Sequence, residues 1–219
     1  MKRELRLTGD GSHTVYLNEL DEPYHSVHGA VQESMHVFIK QGFHEVRKSS
    51  LRILEMGLGT GLNLILTLLE SEKLGIDVYY HAVEKYPLIP SEFSILNFEK
   101  VLACKPIGNL LKMHEAPWEE DFALTKNFHI HKQKADFKSM NPNGKFDLVY
   151  FDAFAPAKQP QLWTAEIFLK LYNLMKPEAI LVTYTSKGSV RRTLISCGFD
   201  VVKLPGPPGK LEMIRAVKR

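Results

Sequence analysis

From residue 51 onward the chain alternates short apolar runs with longer amphipathic ones, and glycines punctuate the first alternation: Ile53-Leu54-Glu55-Met56-Gly57-Leu58-Gly59-Thr60-Gly61-Leu62-Asn63. An apolar run that meets glycine at every second position and resumes with leucines on several faces reads as strand, tight loop and helix. This predicts a strand over 51–56 and a helix over 62–70. Residues 78–83, 128–133, 148–151 and 180–184 read as four more strands. A helix over 164–175 lies between the last two, and a shorter one follows over 190–196. The runs 201–204 and 213–217 flank PGPPGKLE and predict a terminal hairpin. Parallel strands need crossovers, and amphipathic helices need a face to bury. The alternation therefore predicts a seven-stranded, mostly parallel sheet covered by helices on both sides, with an antiparallel hairpin at its end.

Two regions stand outside this unit. Residues 1–50 read as an N-terminal extension packing on the core of residues 51–219, with short strands over 4–7 and 14–17 and a helix over 30–41. Residues 87–127 exceed what one crossover needs. Pro87, Pro90, Trp118 and two helical stretches, 91–102 and 108–113, predict a packed helical insertion. With 219 residues, 44% hydrophobic and 24% charged, the chain is expected to be one globular domain with small additions. No apolar run reaches the roughly 18 residues that span a bilayer, and MKRELRLTGDGSHT lacks the apolar segment of a signal peptide. Cys104 and Cys197 form no CxxC pair and read as buried reduced thiols of a cytoplasmic protein. His25, His28 and His36 are unaccompanied by any Cys/His cluster of zinc spacing, so no metal is expected.

The net charge of +3 is unevenly placed. Residues 186–219 hold eight basic and two acidic side chains, a charge of +6, which leaves −3 for the rest. Such asymmetry points to a polyanionic partner; a solvated basic end is the alternative.

Glycine lets a backbone turn sharply and pass close to a ligand at the carboxyl end of a strand. The spacing here is GxGxG rather than the GxGxxG of dinucleotide sites. GxGxG after an acid-bearing strand is typical of S-adenosylmethionine (AdoMet) binding, although a tight packing turn also accounts for it. Glu84 ends the second strand, where an acid can accept hydrogen bonds from ribose hydroxyls. Asp136, beside Phe137, follows the third strand and can accept from an adenine amine; its alternative is an exposed helix cap. Asp152 ends the fourth strand, next to the first, and so faces the methionine end of the cofactor. A carboxylate there can hold an amine or take its proton, since methyl transfer to nitrogen needs a free lone pair. Phe154 and Pro156 exclude water. The D/N-P-P-Y/F of adenine methyltransferases is missing from DAFAP, as is a second acid of the kind that polyamine aminopropyltransferases carry. A small-molecule amine transferase and a non-catalytic AdoMet- or RNA-binding module remain the alternative readings.

Taken together, GLGTGLN, VEKYPL, DAFAPAKQPQLW, TSKGSVRR and PGKLEM resemble, in order and spacing, the methyltransferase domain of the tRNA 5-methylaminomethyl-2-thiouridine (MnmC) family. The resemblance implies a class I AdoMet-dependent methyltransferase of Rossmann-like fold. It further implies methylation of the 5-aminomethyl group of (2-thio)uridine at the tRNA wobble position. Because the chain stops at Arg219, the stand-alone, MnmD-like form is expected, dependent on a separate enzyme that supplies the aminomethyl substrate. Asp152 is then assigned to catalysis or amine positioning. Glu33, Gly57, Gly59, Thr60, Gly61, Asn63, Glu84, Lys85, Asp136, Phe137 and Asp152 are assigned to the cofactor. Glu33 can equally line the amine pocket or form a surface salt bridge. Phe154, Lys158, Trp163, Lys187, Arg191, Arg192, Lys210 and Arg215 are assigned to substrate or tRNA, the cations through phosphates and Trp163 through base stacking, with core packing as its alternative. The family's basic turn is reduced here to PPGKLEM, which removes two cations.

Overall fold

The structure is a computed structural model that describes residues 2–103 and 108–219. Three short antiparallel strands open the chain: β1 (Arg3–Leu7), β2 (His13–Leu17) and β3 (Glu22–Pro23). Helix α1 (Ala30–Ser34) follows, and its axis continues over Met35–Lys40 with π-helical bonding, so the expected single helix changes pitch midway. The main sheet then begins with β4 (Ser50–Met56). It continues through α2 (Leu62–Leu74) and β5 (Asp77–Glu84) into three short helices, α3 (Pro90–Phe93), α4 (Phe98–Val101) and α5 (Asn109–Glu115). The helix expected over 91–102 is broken at 94–97. Strands β6 (Asp121–Thr125), β7 (Phe128–Lys134) and β8 (Phe146–Phe151) lead to α6 (Ala165–Leu174), β9 (Met175–Thr183) and α7 (Gly188–Ser196). The hairpin β10 (Phe199–Pro205) and β11 (Glu212–Lys218) ends the chain.

Among the described residues the main sheet has eight strands, in the order β10-β11-β9-β8-β4-β5-β7-β6. The expectation of seven missed β6, which pairs antiparallel with β7 at the edge. Its sequence, DFALT, is short and half polar, as an edge strand with one open side permits. Strands β9, β8, β4, β5 and β7 are parallel.

The core divides by strand alternation. Leu51, Ile53, Tyr80, Leu148, Tyr150 and Val182 point to the side of α2 and the α1–π segment. Leu54, Met56, Val149, Phe151 and Leu181 point to the side of α6 and α7. The central strands β4, β5, β8 and the second half of β9 bury both faces, which is why these runs read as continuously apolar. Helix α2 ends at Gly75, in the left-handed region at φ 67°, where Ile76 N donates to Ser71 O at 2.9 Å. Cys197 is buried and free, whereas Cys104 lies outside the described residues.

From β4 the chain winds outward through β5 and β7 on one side and through β8 and β9 on the other. The two halves therefore part at the carboxyl ends of β4 and β8, leaving a crevice that no crossover fills.

Candidate active site

A cavity of about 750 Å³ opens at this switch point. The loop after β4 and the loop after β8 form its floor and meet backbone to backbone. Gly57 has φ 97°, and a Cβ on it would stand 2.6 Å from the Asp152 carbonyl oxygen. Only glycine allows that approach. Gly59, at φ 51°, lies under the Tyr24 ring. Glu84 fixes the loop by accepting from Gly59 N at 3.1 Å, and it also accepts from Tyr86 N at 2.7 Å. Asp136 accepts from Lys85 Nζ at 2.9 Å and from Lys138 N at 3.0 Å. Beside it Phe137 is largely buried and lines the cavity.

Asp152 sits at the centre. Asn63, on the first turn of α2, donates from Nδ2 to Asp152 Oδ2 at 2.8 Å and to Glu55 Oε1 at 3.0 Å, so one amide ties two carboxyl groups together. Burial pushes the Asp152 carboxyl up to about 7, with nearby Glu33 adding to the rise and Asn63 and Lys210 opposing it. Glu55 is wholly buried and lies well above the ordinary carboxyl range, because burial and the neighbouring Asp152 both disfavour its charge. The apolar part of DAFAP is also held in place. Trp163 Nε1 donates to Phe154 O at 2.9 Å, and the Tyr184 hydroxyl donates to Ala153 O at 2.9 Å. The Phe154 ring meets Tyr24 edge to face at 5.2 Å, and both rings wall the cavity.

The sequence-assigned residues part company here. Glu33, Gly57, Gly59, Asn63, Glu84, Lys85, Asp136, Phe137, Asp152, Phe154 and Lys210 line one cavity. Thr60 and Gly61 do not. Thr60 is buried with Oγ1 3.3 Å from His25 Nε2, and a Cβ on Gly61 would run into Met113, so their places serve packing. Trp163 is a correction: its indole is buried against Phe151 and Phe168 in the core, which removes it from base stacking. Arg215 pairs with Glu45, Lys203 with Glu212 and Arg219 with Asp200; the last two use the tail's own acids, so of the +6 excess Arg215 and, through Glu33, Lys210 are offset. Lys187, Arg191 and Arg192 are exposed at the start of α7 and make no ion pair among the described residues. Lys158 contacts Asp21 O at 3.3 Å. None of these four cations lines the cavity. Tyr24, His25 and Tyr184 belong to the site but were missed, because no local spacing signals a wall assembled from residues so far apart in the chain.

An alternating α/β sheet with a glycine loop and a strand-end acid at its switch point is the architecture of class I methyltransferases. Residues 105–219 match the family model described as S-adenosyl-L-methionine-dependent methyltransferase, and the chain belongs to that family. It is 31% identical over 218 residues to the tRNA 5-methylaminomethyl-2-thiouridine biosynthesis bifunctional protein MnmC of Pseudomonas entomophila, an alignment covering 91% of this chain and 33% of that one. The MnmC protein of Hydrogenovibrio crunogenus gives 31% identity, with 88% of this chain and 31% of that one covered. The chain thus spans about a third of the length of these curated relatives. The crystal structure of MNMC2 from Aquifex aeolicus superposes with a TM-score of 0.82 at 27% identity, covering all of this chain and 70% of that one. DesVI of Streptomyces venezuelae, at 10% identity and a TM-score of 0.52, shares the fold.

The cavity suits AdoMet. Its volume is in the range of cofactor sites. Its acids outnumber its lysines, as a ligand bearing a sulfonium and an ammonium requires. Buried Asn63 Oδ1 and Glu55 Oε2, beside Asp152, have no partner within the protein.

Proposed function

We propose that this chain methylates the primary amine of 5-aminomethyl-(2-thio)uridine at the tRNA wobble position, giving 5-methylaminomethyl-(2-thio)uridine. The observation that carries the reading is Asp152: a carboxyl just past the end of β8, bonded to Asn63 and raised to about 7, that lines an acidic, partly apolar cavity. Relatives whose names specify this modification supply the substrate identity.

When bound, AdoMet supplies a methyl group made electrophilic by a positively charged sulfur. Glu84 would hold the ribose hydroxyls and Asp136 and Phe137 the adenine, with the loop of Gly57 and Gly59 forming the floor beneath them. An alkylammonium has no lone pair to attack with. Asp152 would accept one proton from it, leaving a neutral amine whose lone pair could take the methyl group that AdoMet would supply. A carboxyl near 7 can take that proton and return it to water at neutral pH, which a carboxyl near 4 does poorly. Tyr24, Phe154 and Tyr184 keep water from the reacting centre, and alignment within the cavity supplies much of the remaining rate. Lys158, Lys187, Arg191 and Arg192 contact tRNA phosphates around the mouth, positioning the substrate without reading its sequence. The reading places the protein in the cytoplasm, downstream of an enzyme that delivers the free aminomethyl group.

The test is incubation with AdoMet and tRNA bearing 5-aminomethyl-2-thiouridine, followed by nucleoside mass spectrometry. A mass gain of one methylene on that nucleoside is expected. Its absence while AdoMet binds refutes the reading.

A further inference from the structure

Two distant segments build the outer wall of the cavity. The turn of the β10–β11 hairpin folds back on the N-terminal region, with His36 Nε2 and Pro205 O 2.8 Å apart. Gly209, at φ 85°, packs so closely on the His28 imidazole that a Cβ would meet Cδ2 at 2.3 Å. This seating brings Lys210 into the cavity. Its ammonium pairs with Glu33 and stands 4.0 Å from the centroid of the Tyr184 ring. The Glu33 side chain is only 9% exposed, and its other oxygen accepts from Ser26 N at 2.7 Å. Tyr184 is oriented by its bond to Ala153 O, next to Asp152.

A carboxylate and an aromatic face converging on one point are the recognition set of a cation, and here the cation present is a primary alkylammonium. Lys210 carries the same chemical group as an aminomethyl substrate or the α-ammonium of AdoMet. A largely buried carboxylate is costly without a partner, so a resident cation keeps Glu33 satisfied until a ligand arrives. The resident can give way by rotation of its own side chain, which is 34% exposed, without any change in the backbone of the turn.

We propose that Glu33 and Tyr184 form a primary-ammonium subsite beside Asp152, and that Lys210 occupies it until the ammonium of an incoming ligand displaces it. The identity of a nucleoside ligand rests on the function proposed above; the subsite itself does not. Calorimetry on the full chain tests it with two probes: AdoMet alone, and 5-aminomethyluridine in the presence of S-adenosylhomocysteine, which prevents turnover. In Lys210→Met the competing cation is gone, so the ammonium that uses the subsite binds roughly 3- to 10-fold tighter. Lys210→Arg keeps a cation and binds as wild type. Glu33→Gln weakens the same probe by about 10-fold or more. Whichever probe responds identifies the source of the ammonium, and melting curves confirm that each variant is folded. Binding of both probes that is unchanged or weaker in Lys210→Met overturns the proposal, as does Glu33→Gln that melts lower with unchanged affinities. Methylation of tRNA alongside unresponsive affinities overturns the subsite alone. Responsive affinities without any methylation of tRNA overturn only the function proposed above.

Discussion

Asp152→Asn separates charge from shape. The amide is isosteric, and its carbonyl oxygen still accepts from Asn63 Nδ2, which lies 2.8 Å away in the native protein. What disappears is a carboxyl whose pKa stands at about 7 instead of the ordinary 3.8. At about 1.4 kcal/mol per pH unit, keeping it ionised costs the folded state up to about 4 kcal/mol; the group opens partly onto the cavity, so about 1–3 kcal/mol is realistic. The sign follows from the raised value. Between pH 4 and 7 the folded carboxyl holds a proton that the unfolded one has lost, so native stability falls as pH rises through this window and levels off above 7. The asparagine variant should therefore melt higher than wild type by several degrees at pH 8, using about 2–4 °C per kcal/mol for a chain of this size, with the advantage shrinking toward pH 4. Its methyl-transfer rate should drop by about 100-fold or more with the loss of the base, while AdoMet affinity is retained. Calorimetric melting across pH and single-turnover methylation are the two assays. Wild-type turnover in the variant, or a melting difference independent of pH, would refute the assignment of Asp152 as a proton acceptor poised by burial.

Four other outcomes are expected. Gly57→Ala places a Cβ 2.6 Å from the Asp152 carbonyl at φ 97°; it should lose about 1–3 kcal/mol of stability and most AdoMet binding. Gly61→Ala instead presses on the flexible end of Met113, so stability should fall with a smaller loss of AdoMet affinity, and equal affinity losses at both positions would contradict the separation of roles. Burial lowers His25 to about 4. It therefore contributes stability that is present above pH 6.5 and lost as pH falls toward 4, and His25→Gln should flatten that part of the pH–melting curve. The double variant Arg191→Ala/Arg192→Ala should weaken tRNA binding and reduce its slope against log salt by about 2, leaving AdoMet affinity intact; an unchanged slope would remove α7 from the RNA surface.

The parallel core was legible in the residues because its signals are local. Fully buried strands read as unbroken apolar runs, and the glycines of GLGTG mark the turn between β4 and α2. The strand-end acids Glu84, Asp136 and Asp152 were legible for the same reason, since a carboxylate that terminates an apolar run has to point at something at the sheet's carboxyl edge. Strand β6 was not, because an edge strand with one open side carries only half the apolar pattern. Nor was the inward commitment of Trp163, which depends on Phe151 and Phe168 lying where α6 packs on the sheet.

The sequence by itself determined a wound α/β sheet and the acids at its carboxyl edge, because periodicity and glycine placement act within a few residues. Tertiary structure decided the rest: that Asn63 links Glu55 to Asp152, that Tyr24 closes over Gly59, that Lys210 meets Glu33, and that half of the tail's eight basic side chains pair with acids while those at the start of α7 make no ion pair among the described residues. These are pairings between segments up to 177 residues apart. Desolvation and charge at such meetings depend on which surfaces the fold brings together, and no local spacing encodes that.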